Sequence, residues 1–313
     1  HKAFNMSKIS ILPENLINQI AAGEVIENPS SIVKELIENS IDSGATEIKL
    51  LIEEGGHRLI KVYDNGSGMN KVDLKLAFCR HATSKIRTKD DLAKIKTLGF
   101  RGEALPSIAS VSRVLIETSF KDIAFRMKLD AGKAIEIKKT ARNQGTKIEV
   151  KNLFYNIPAR KKFLKSASQE LRNVSKILKR YVLSYPDISF YYKSNGKVIY
   201  DFKQTNLEGR IIQLFGSSYK KNILPIDGNK GELEINGYIG NLNLTKKRRG
   251  DQYLFLNGRY IKDGAISSAI RNSYYSLVDR GEHPFYVLFL KLPTDIYDIN
   301  VHPTKIEARF NNK

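Results

Sequence analysis

The spacing of apolar positions changes several times along the chain, and each change marks a predicted element. After Pro13, whose fixed φ suits a first helical residue, Leu16, Ile17, Ile20 and Ala21 recur at helical spacing and predict a short amphipathic helix ending at Gly23. Asn28-Pro29 supplies an N-cap and a first-turn proline for a second helix, which Gly44 stops after Asp42-Ser43. On it Ile32, Val33, Leu36, Ile37 and Ile41 form one broad apolar arc, leaving Glu35, Asn39 and Asp42 together on the opposite side. Two β-favouring runs, Ile48 to Glu53 and Arg58 to Asp64, flank Glu54-Gly55-Gly56-His57, a connection of hairpin length. A third helix begins at Asn70, and from there to Leu98 the chain is polar, basic and irregular, the pattern of a loop. Beyond Leu105 the runs Val111 to Thr118, Ala124 to Leu129, Ala134 to Lys139 and Thr146 to Asn152 read as strands separated by turns. Helical stretches near Lys161 to Leu164 and Glu170 to Tyr185 follow, then strands near Ile188 to Lys193 and Lys197 to Phe202. The pattern predicts a mixed α+β first domain over residues 1–203, with the boundary around Lys203 to Leu207. Residues 204–313, with a helix over Ala265 to Val278 among further strands, make a second, smaller α/β domain.

Length agrees with two domains, since 313 residues exceed the usual size of one hydrophobic core. Charge adds a partner class. With 52 Lys and Arg against 33 Asp and Glu, a formal net charge of +19 favours a polyanion (nucleic acid, nucleotide or anionic membrane) over a role in solubility alone. The single Cys79 excludes an intramolecular disulfide and a multi-cysteine zinc site, and fits a reducing cytoplasm or nucleus. No run approaches the roughly 18 apolar residues of a membrane span, and no secretory pattern opens the chain, so a soluble protein is expected. Met6 reads as a natural start, and His1 to Asn5 are set aside as an expression remnant.

Familiar phosphate and metal motifs are missing: there is no complete P-loop, no His-Glu-x-x-His and no Gly-x-Ser-x-Gly. A nucleotide site must be assembled differently. The Glu35, Asn39 and Asp42 face offers carboxylates and an amide, although an isolated helix face of this kind more often simply meets solvent. Asp64 ends a strand just before Gly66 and Gly68, glycines that permit φ > 0 and close approach of backbone to a ligand; alone, Asn-Gly-x-Gly is usually a turn. Leu98-Gly99-Phe100-Arg101-Gly102-Glu103-Ala104-Leu105 leads into a helix and presents free backbone N–H groups and an Arg to phosphates, or else merely caps that helix.

Several motifs occur in order: Asn18-Gln19-Ile20-Ala21-Ala22-Gly23-Glu24-Val25, Lys34-Glu35-Leu36-Ile37-Glu38-Asn39-Ser40, Asp64-Asn65-Gly66, His81-Ala82-Thr83-Ser84-Lys85 and Gly99-Phe100-Arg101-Gly102-Glu103-Ala104-Leu105. Asn152-Leu153-Phe154-Tyr155-Asn156, Asn257-Gly258-Arg259 and Asn300-Val301-His302-Pro303-Thr304-Lys305 continue the series. Together they resemble the N-terminal ATPase region of the MutL family of DNA mismatch-repair proteins, from about Ile11 to the C-terminus. Departures are mild, with Ser43 and Pro106 where that family often has Ala.

The resemblance implies the GHKL ATPase superfamily of gyrase B subunits, a heat-shock chaperone and sensor histidine kinases: a two-layer helix/sheet sandwich, then a smaller α/β domain with a left-handed βαβ crossover. It implies ATP and Mg²⁺, with Glu35 as general base toward the water attacking the γ-phosphate and Asn39 as the Mg²⁺ ligand. Asp42 joins the nucleotide face, and Asp64 accepts from the adenine amino group. Gly66 and Gly68 let the chain pass the base. Thr83, Ser84 and Lys85 belong to a lid, and Gly99, Phe100, Arg101, Gly102, Glu103, Ala104 and Leu105 hold the phosphates. Thr146 matches a later nucleotide motif, with a buried strand threonine as the alternative. Lys305, in the second domain, matches the γ-phosphate sensor, with a surface lysine as the alternative. Partners implied are DNA, mismatch-recognition and downstream repair proteins, and a second N-terminal region joined in an ATP-dependent homodimer. For DNA phosphates the basic candidates are Arg160, Lys161, Lys162, Lys246, Lys247, Arg248, Arg249 and Lys262, any of which is also compatible with a solvated face. A topoisomerase ATPase subunit shares the nucleotide motifs without the rest of the ordered series. A histidine kinase would need a phosphoacceptor domain that the sequence does not display. A non-enzymatic DNA or partner binder would lack turnover.

Overall fold

Asn28 turns its side-chain oxygen onto the backbone N–H of Ser31 at 3.1 Å, and Pro29 sets the first helical φ, so the second helix starts where the sequence places it. A computed structural model describes residues 13–80, 82–83, 98, 102–247, 250–274, 277–279, 281–293, 297–298 and 309–310. These fall into two compact units, one within His1–Leu178 and Ser189–Asp201, the other within Lys179–Ile188 and Phe202–Lys313.

The first unit begins with helices α1 (Glu14–Val25) and α2 (Pro29–Asp42), followed by the antiparallel strands β1 (Glu47–Glu53) and β2 (Leu59–Asp64). Short helices α3 (Lys71–Leu76) and α4 (Ala104–Ser110) precede the meander β3 (Arg113–Phe120), β4 (Ile123–Asp130), β5 (Lys133–Thr140) and β6 (Gly145–Lys151). Helices α5 (Pro158–Phe163) and α6 (Ala167–Ser184) lead to β7 (Ser189–Ser194) and β8 (Lys197–Phe202). The strands make one eight-stranded sheet in the order β5-β4-β3-β6-β2-β1-β7-β8, in which β7 runs parallel to β1. Alternate residues Ile48, Leu50 and Ile52 of β1 and Ile60 and Val62 of β2 are buried, the signature of a sheet with one covered face. On α2 the arc Ile32, Val33, Leu36 and Ile37 is buried and the helix lies against β2, as the periodicity predicts. Each such side chain contributes about 1.5–3 kcal/mol relative to an exposed one.

Gly23 does not end α1, contrary to expectation. The helix continues to Val25, and Pro13 sits just ahead of it as its N-cap. Ala22 within the helix and Ile26 at its C-cap are fully buried, and that burial outweighs the roughly 1 kcal/mol that an interior glycine costs.

In the second unit α7 (Leu207–Phe215) precedes β9 (Ile223–Lys230), β10 (Leu233–Gly240), β11 (Gln252–Leu256), β12 (Arg259–Ile261), α8 (Gly264–Ser273) and β13 (Tyr286–Lys291). The five strands order as β12-β11-β13-β10-β9, with β11 and β13 parallel and connected through β12 and α8, a crossover. Short strands β14 (Tyr297–Asp298) and β15 (Arg309–Phe310) pair separately. Helix α8 is shorter than the expected Ala265 to Val278: Tyr274, just past its end, is buried and donates its hydroxyl to the Gly240 carbonyl at 2.7 Å. One face of the sheet buries Phe255, Phe285 and Val287 with Tyr219 and Ile211, the other Leu254, Leu256, Leu288 and Leu290. Among the described residues no helix is long and apolar enough to cross a membrane.

Candidate functional site

Strand register assembles the centre of the site. Asp64, the last residue of β2, lies opposite Thr146 of β6, and Thr146 lies opposite Thr118 of β3, so three side chains line one row across the sheet. Asp64 is half-buried. Its Oδ1 accepts from the Gly66 N–H at 3.0 Å and the Thr146 N–H at 3.1 Å, while Oδ2 accepts from the Ser40 hydroxyl at 2.9 Å. Burial pushes its pKa up; the bonds from Gly66, Ser40 and Thr146 and the charge of Arg142 oppose that shift without cancelling it. Arg142 also donates to the Asp64 carbonyl at 3.4 Å.

Glycines allow this crowding, for two different reasons. Gly68 has φ +68°, and a Cβ there would stand 1.8 Å from the Ser119 carbonyl oxygen. Gly66 does not adopt positive φ, contrary to the expectation for the pair; a Cβ would instead meet Ser43 Oγ at 1.9 Å. Gly145, at φ +113°, passes so close to Asp64 that a Cβ would lie 2.0 Å from its carbonyl oxygen.

Sequence reasoning missed Thr118 and Ser40 in this cluster, as well as Arg142. Thr118, fully buried, accepts from the Met69 N–H at 2.9 Å and pairs with the Thr146 hydroxyl at 3.1 Å, so it ties the Gly66 to Met69 turn to β3 and β6. Ser40 bonds both the Leu36 carbonyl and Asp64. Ser40 ends the Lys34-Glu35-Leu36-Ile37-Glu38-Asn39-Ser40 motif, and its place one residue after Asn39 on the helix was the available signal. Nothing in the sequence singles out Thr118 from other strand threonines.

Helix α2 presents Glu35, Asn39 and Asp42 as half-buried residues, matching the polar face that its periodicity predicts. Lys34 Nζ bridges Glu35 Oε1 at 2.9 Å and Glu38 Oε2 at 3.0 Å. Burial disfavours the Lys34 charge, but these two carboxylates outweigh it and hold its pKa above the ordinary lysine range. Asp42 Oδ1 accepts from the Leu98 N–H at 3.1 Å. Farther along, Gly102 adopts φ +64° against the Ala82 backbone, and Glu103 precedes the start of α4 at Ala104, with Leu105 half-buried. Thr83 is half-buried, whereas Ser84, Lys85, Gly99, Phe100, Arg101 and Lys305 lie outside the described residues. Thus Asp64, Gly66, Gly68 and Thr146 are brought together with Ser40, on the same helix as Glu35, Asn39 and Asp42.

Comparison with known proteins places this geometry. Residues 27–157 match the family described as histidine kinase-, DNA gyrase B-, and HSP90-like ATPase, and residues 211–313 match the DNA mismatch repair protein, C-terminal domain. Over 309 residues the chain is 44% identical to the DNA mismatch repair protein MutL of Geotalea uraniireducens (strain Rf4), an alignment covering 98% of this chain and 51% of that protein. The chain belongs to the MutL family. It spans about half the length of the curated MutL relatives it matches. Among solved structures, the Aquifex aeolicus MutL ATPase domain complexed with ADP is similar with a TM-score of 0.66 at 27% identity, covering 86% of this chain and 93% of that one. The N-terminal domain of a DNA repair protein is similar in fold, with a TM-score of 0.77 at 24% identity over 95% of this chain and 92% of that one. The sandwich expected of a MutL ATPase region is therefore the fold observed.

The basic candidates of this MutL-family chain have unlike surroundings. Arg160 is half-buried, lies over the Phe154 ring at 4.3 Å and donates to the Ile26 carbonyl. Lys161, Lys162, Lys247 and Lys262 are exposed. Lys246 pairs with Asp251, chiefly through a direct hydrogen bond that raises its pKa. Arg248 and Arg249 lie outside the described residues.

Proposed function

We propose that this chain is an ATP-driven switch of DNA mismatch repair that binds ATP with Mg²⁺, closes a lid, joins a second N-terminal region and hydrolyses ATP slowly. The observation that carries the reading is the residual capacity of Asp64. A carboxylate has roughly four acceptor positions, and Ser40, Gly66 and Thr146 take three of them. One more donor is wanted, and an adenine amino group supplies it where a guanine carbonyl would be repelled. Gly66, Gly68 and Gly145 keep side chains off the backbone around that position.

Along α2, Asn39 and Glu35 lie four and eight residues before Ser43, on the helix that also holds Asp64 through Ser40. Glu35 is assigned as the base that orients and deprotonates the attacking water, with Lys34 fixing the carboxylate. Among the described residues no three His, Cys, Asp or Glu side chains gather into a metal site, and a magnesium ion that brings its own phosphate ligands and waters needs no such cluster. The neutral Asn39 amide oxygen fits it, and the ion would supply charge neutralisation at the phosphates. Thr83, Ser84 and Lys85 are assigned to the lid, Asp42 and Gly99 to Leu105 to the nucleotide and its phosphates, and Lys305 to sensing of the γ-phosphate from the second domain, taken as residues 204–313 after a first domain of 1–203. Basic residues, among them the exposed Lys161, Lys162, Lys247 and Lys262, are assigned to DNA phosphates without base readout. Mismatch-recognition and downstream repair proteins are the further partners.

Phosphate release from ATP and Mg²⁺, with nucleotide binding followed in parallel, tests the reading. Wild type is expected to turn over slowly, and Glu35→Ala to bind ATP with turnover reduced about 10²–10⁴-fold. A well-folded wild type that binds ATP without any turnover would leave a non-enzymatic binder; unchanged turnover in Glu35→Ala would remove the base assignment. Lys305→Ala is expected to abolish the ATP-dependent dimer. DNA affinity is expected to fall steeply with added salt.

A further inference from the structure

Helix α5 is anchored on both sides of an aromatic ring that faces water. On one side Arg160 packs over Phe154 and bonds the Ile26 carbonyl. On the other, the Lys165 N–H donates to Glu170 Oε1 at 3.0 Å, and Glu170 is only 2% exposed. Between these anchors Phe163 is 85% exposed, although a buried Phe would contribute about 1.5–3 kcal/mol. Lys161, Lys162 and Lys165 surround it in sequence, are exposed, and form no ion pair among the described residues. An exposed apolar ring whose chain neighbours carry unneutralised positive charge does not suit an apolar protein groove, which would have to bury those charges unpaired. It does suit an unpaired base attached to phosphates, because every base offers a π-face once it is out of the duplex.

We propose that Phe163 is a stacking platform for an unpaired base of single-stranded nucleic acid, whose phosphates are held by Lys161, Lys162 and Lys165. The proposal rests on the DNA-binding part of the function proposed above and adds the residue that stacks on the base.

The chain contains no tryptophan, so Phe163→Trp places a single reporter at the ring. Oligo-dT is expected to quench its fluorescence, and a fully paired duplex of the same length to leave it nearly unchanged. Phe163→Ala is expected to weaken oligo-dT binding about 5- to 100-fold, within the range of one lost base–aromatic stack, with duplex and ATP affinities within about twofold of wild type. Retained ATP binding serves as the folding control. Equal losses for single strand and duplex, absence of quenching by bound oligo-dT, or a blue shift on adding ATP without DNA would each overturn the proposal, the last by showing the ring buried in self-association. If Phe163→Ala is neutral while wild type binds DNA in a salt-dependent way, only this inference falls. If wild type binds no DNA, the DNA-binding reading falls with it.

Discussion

Two charged side chains, half-buried Asp64 in one unit and fully buried Arg210 in the other, have opposite consequences. Asp64 holds three donors and keeps room for a fourth. Arg210, fully buried, engages every nitrogen of its guanidinium: Nε donates to Gln213 Oε1 at 3.0 Å, Nη1 to the Val182 carbonyl at 2.8 Å, and Nη2 to the carbonyls of Pro186, Ile188 and Lys203 at 3.0, 2.8 and 3.1 Å. Burial lowers its pKa to about 10, with Asp187 opposing, so it stays charged at neutral pH. Arg210 ties together the end of α6, the turn before β7 and the segment after β8. It is architecture because its donors are spent inside the fold, on four backbone carbonyls and the Gln213 side chain. Asp64 is the candidate site because one of its acceptor positions remains, beside glycines that leave space.

That difference can be broken from the Arg210 side first. Arg210→Met is expected to destabilise the chain by about 3–5 kcal/mol in urea denaturation, since it takes the guanidinium from the Val182 and Ile188 carbonyls, while those of Pro186 and Lys203 keep the Thr205 N–H and Gln213 Nε2, and a carbonyl left buried and unpaired costs about 1–3 kcal/mol. A loss below about 1 kcal/mol would show that water replaces the guanidinium. Asp64→Asn should do the reverse, costing less than about 1 kcal/mol of stability while weakening adenine-nucleotide binding by about 1.5–3 kcal/mol, the range for a hydrogen bond to a charged group. Calorimetric titration with ATP checks it, and unchanged affinity would sink the adenine assignment. Thr118→Val leaves the Met69 N–H without its acceptor and is expected to cost about 1 kcal/mol in ATP affinity, with Thr118→Ser restoring it.

The smallest expected effect is in pH. Because burial raises the Asp64 pKa, the folded chain takes up this proton more readily than the unfolded one. Its contribution to stability is therefore fully present below the ordinary aspartate range and is lost as pH rises through the raised value. Adenine binding, which uses the ionised carboxylate, should weaken as pH falls through that same value. Asp64→Asn should flatten both dependences, and a persistent slope in ATP affinity would point to another group.

Much of the first unit was legible because local chemistry decides it. Asn28 and Pro29 start α2, Gly44 at φ +77° follows its end, and the alternation of Ile48, Leu50 and Ile52 marks a half-covered strand. The polar face of Glu35, Asn39 and Asp42 follows from helical period alone, and Asp64 is marked by the glycines after it. Features that depend on distant segments were not legible. Gly66 is required by Ser43, on the turn after another element, and not by its own φ. Thr118 joins the site only because register sets β3 beside β6 and β6 beside β2.

The sequence by itself determined most of the elements, the family and the candidates for chemistry, since caps, periodicity and motif order are properties of neighbours in the chain. Only the tertiary structure decided that a threonine on β3, a serine on α2 and an aspartate on β2 share one hydrogen-bonded cluster, that Arg210 is buried and Phe163 is not. Burial and hydrogen-bond partnership depend on which segments meet in space, and an arginine or a phenylalanine carries no local mark of which side of that boundary it will occupy.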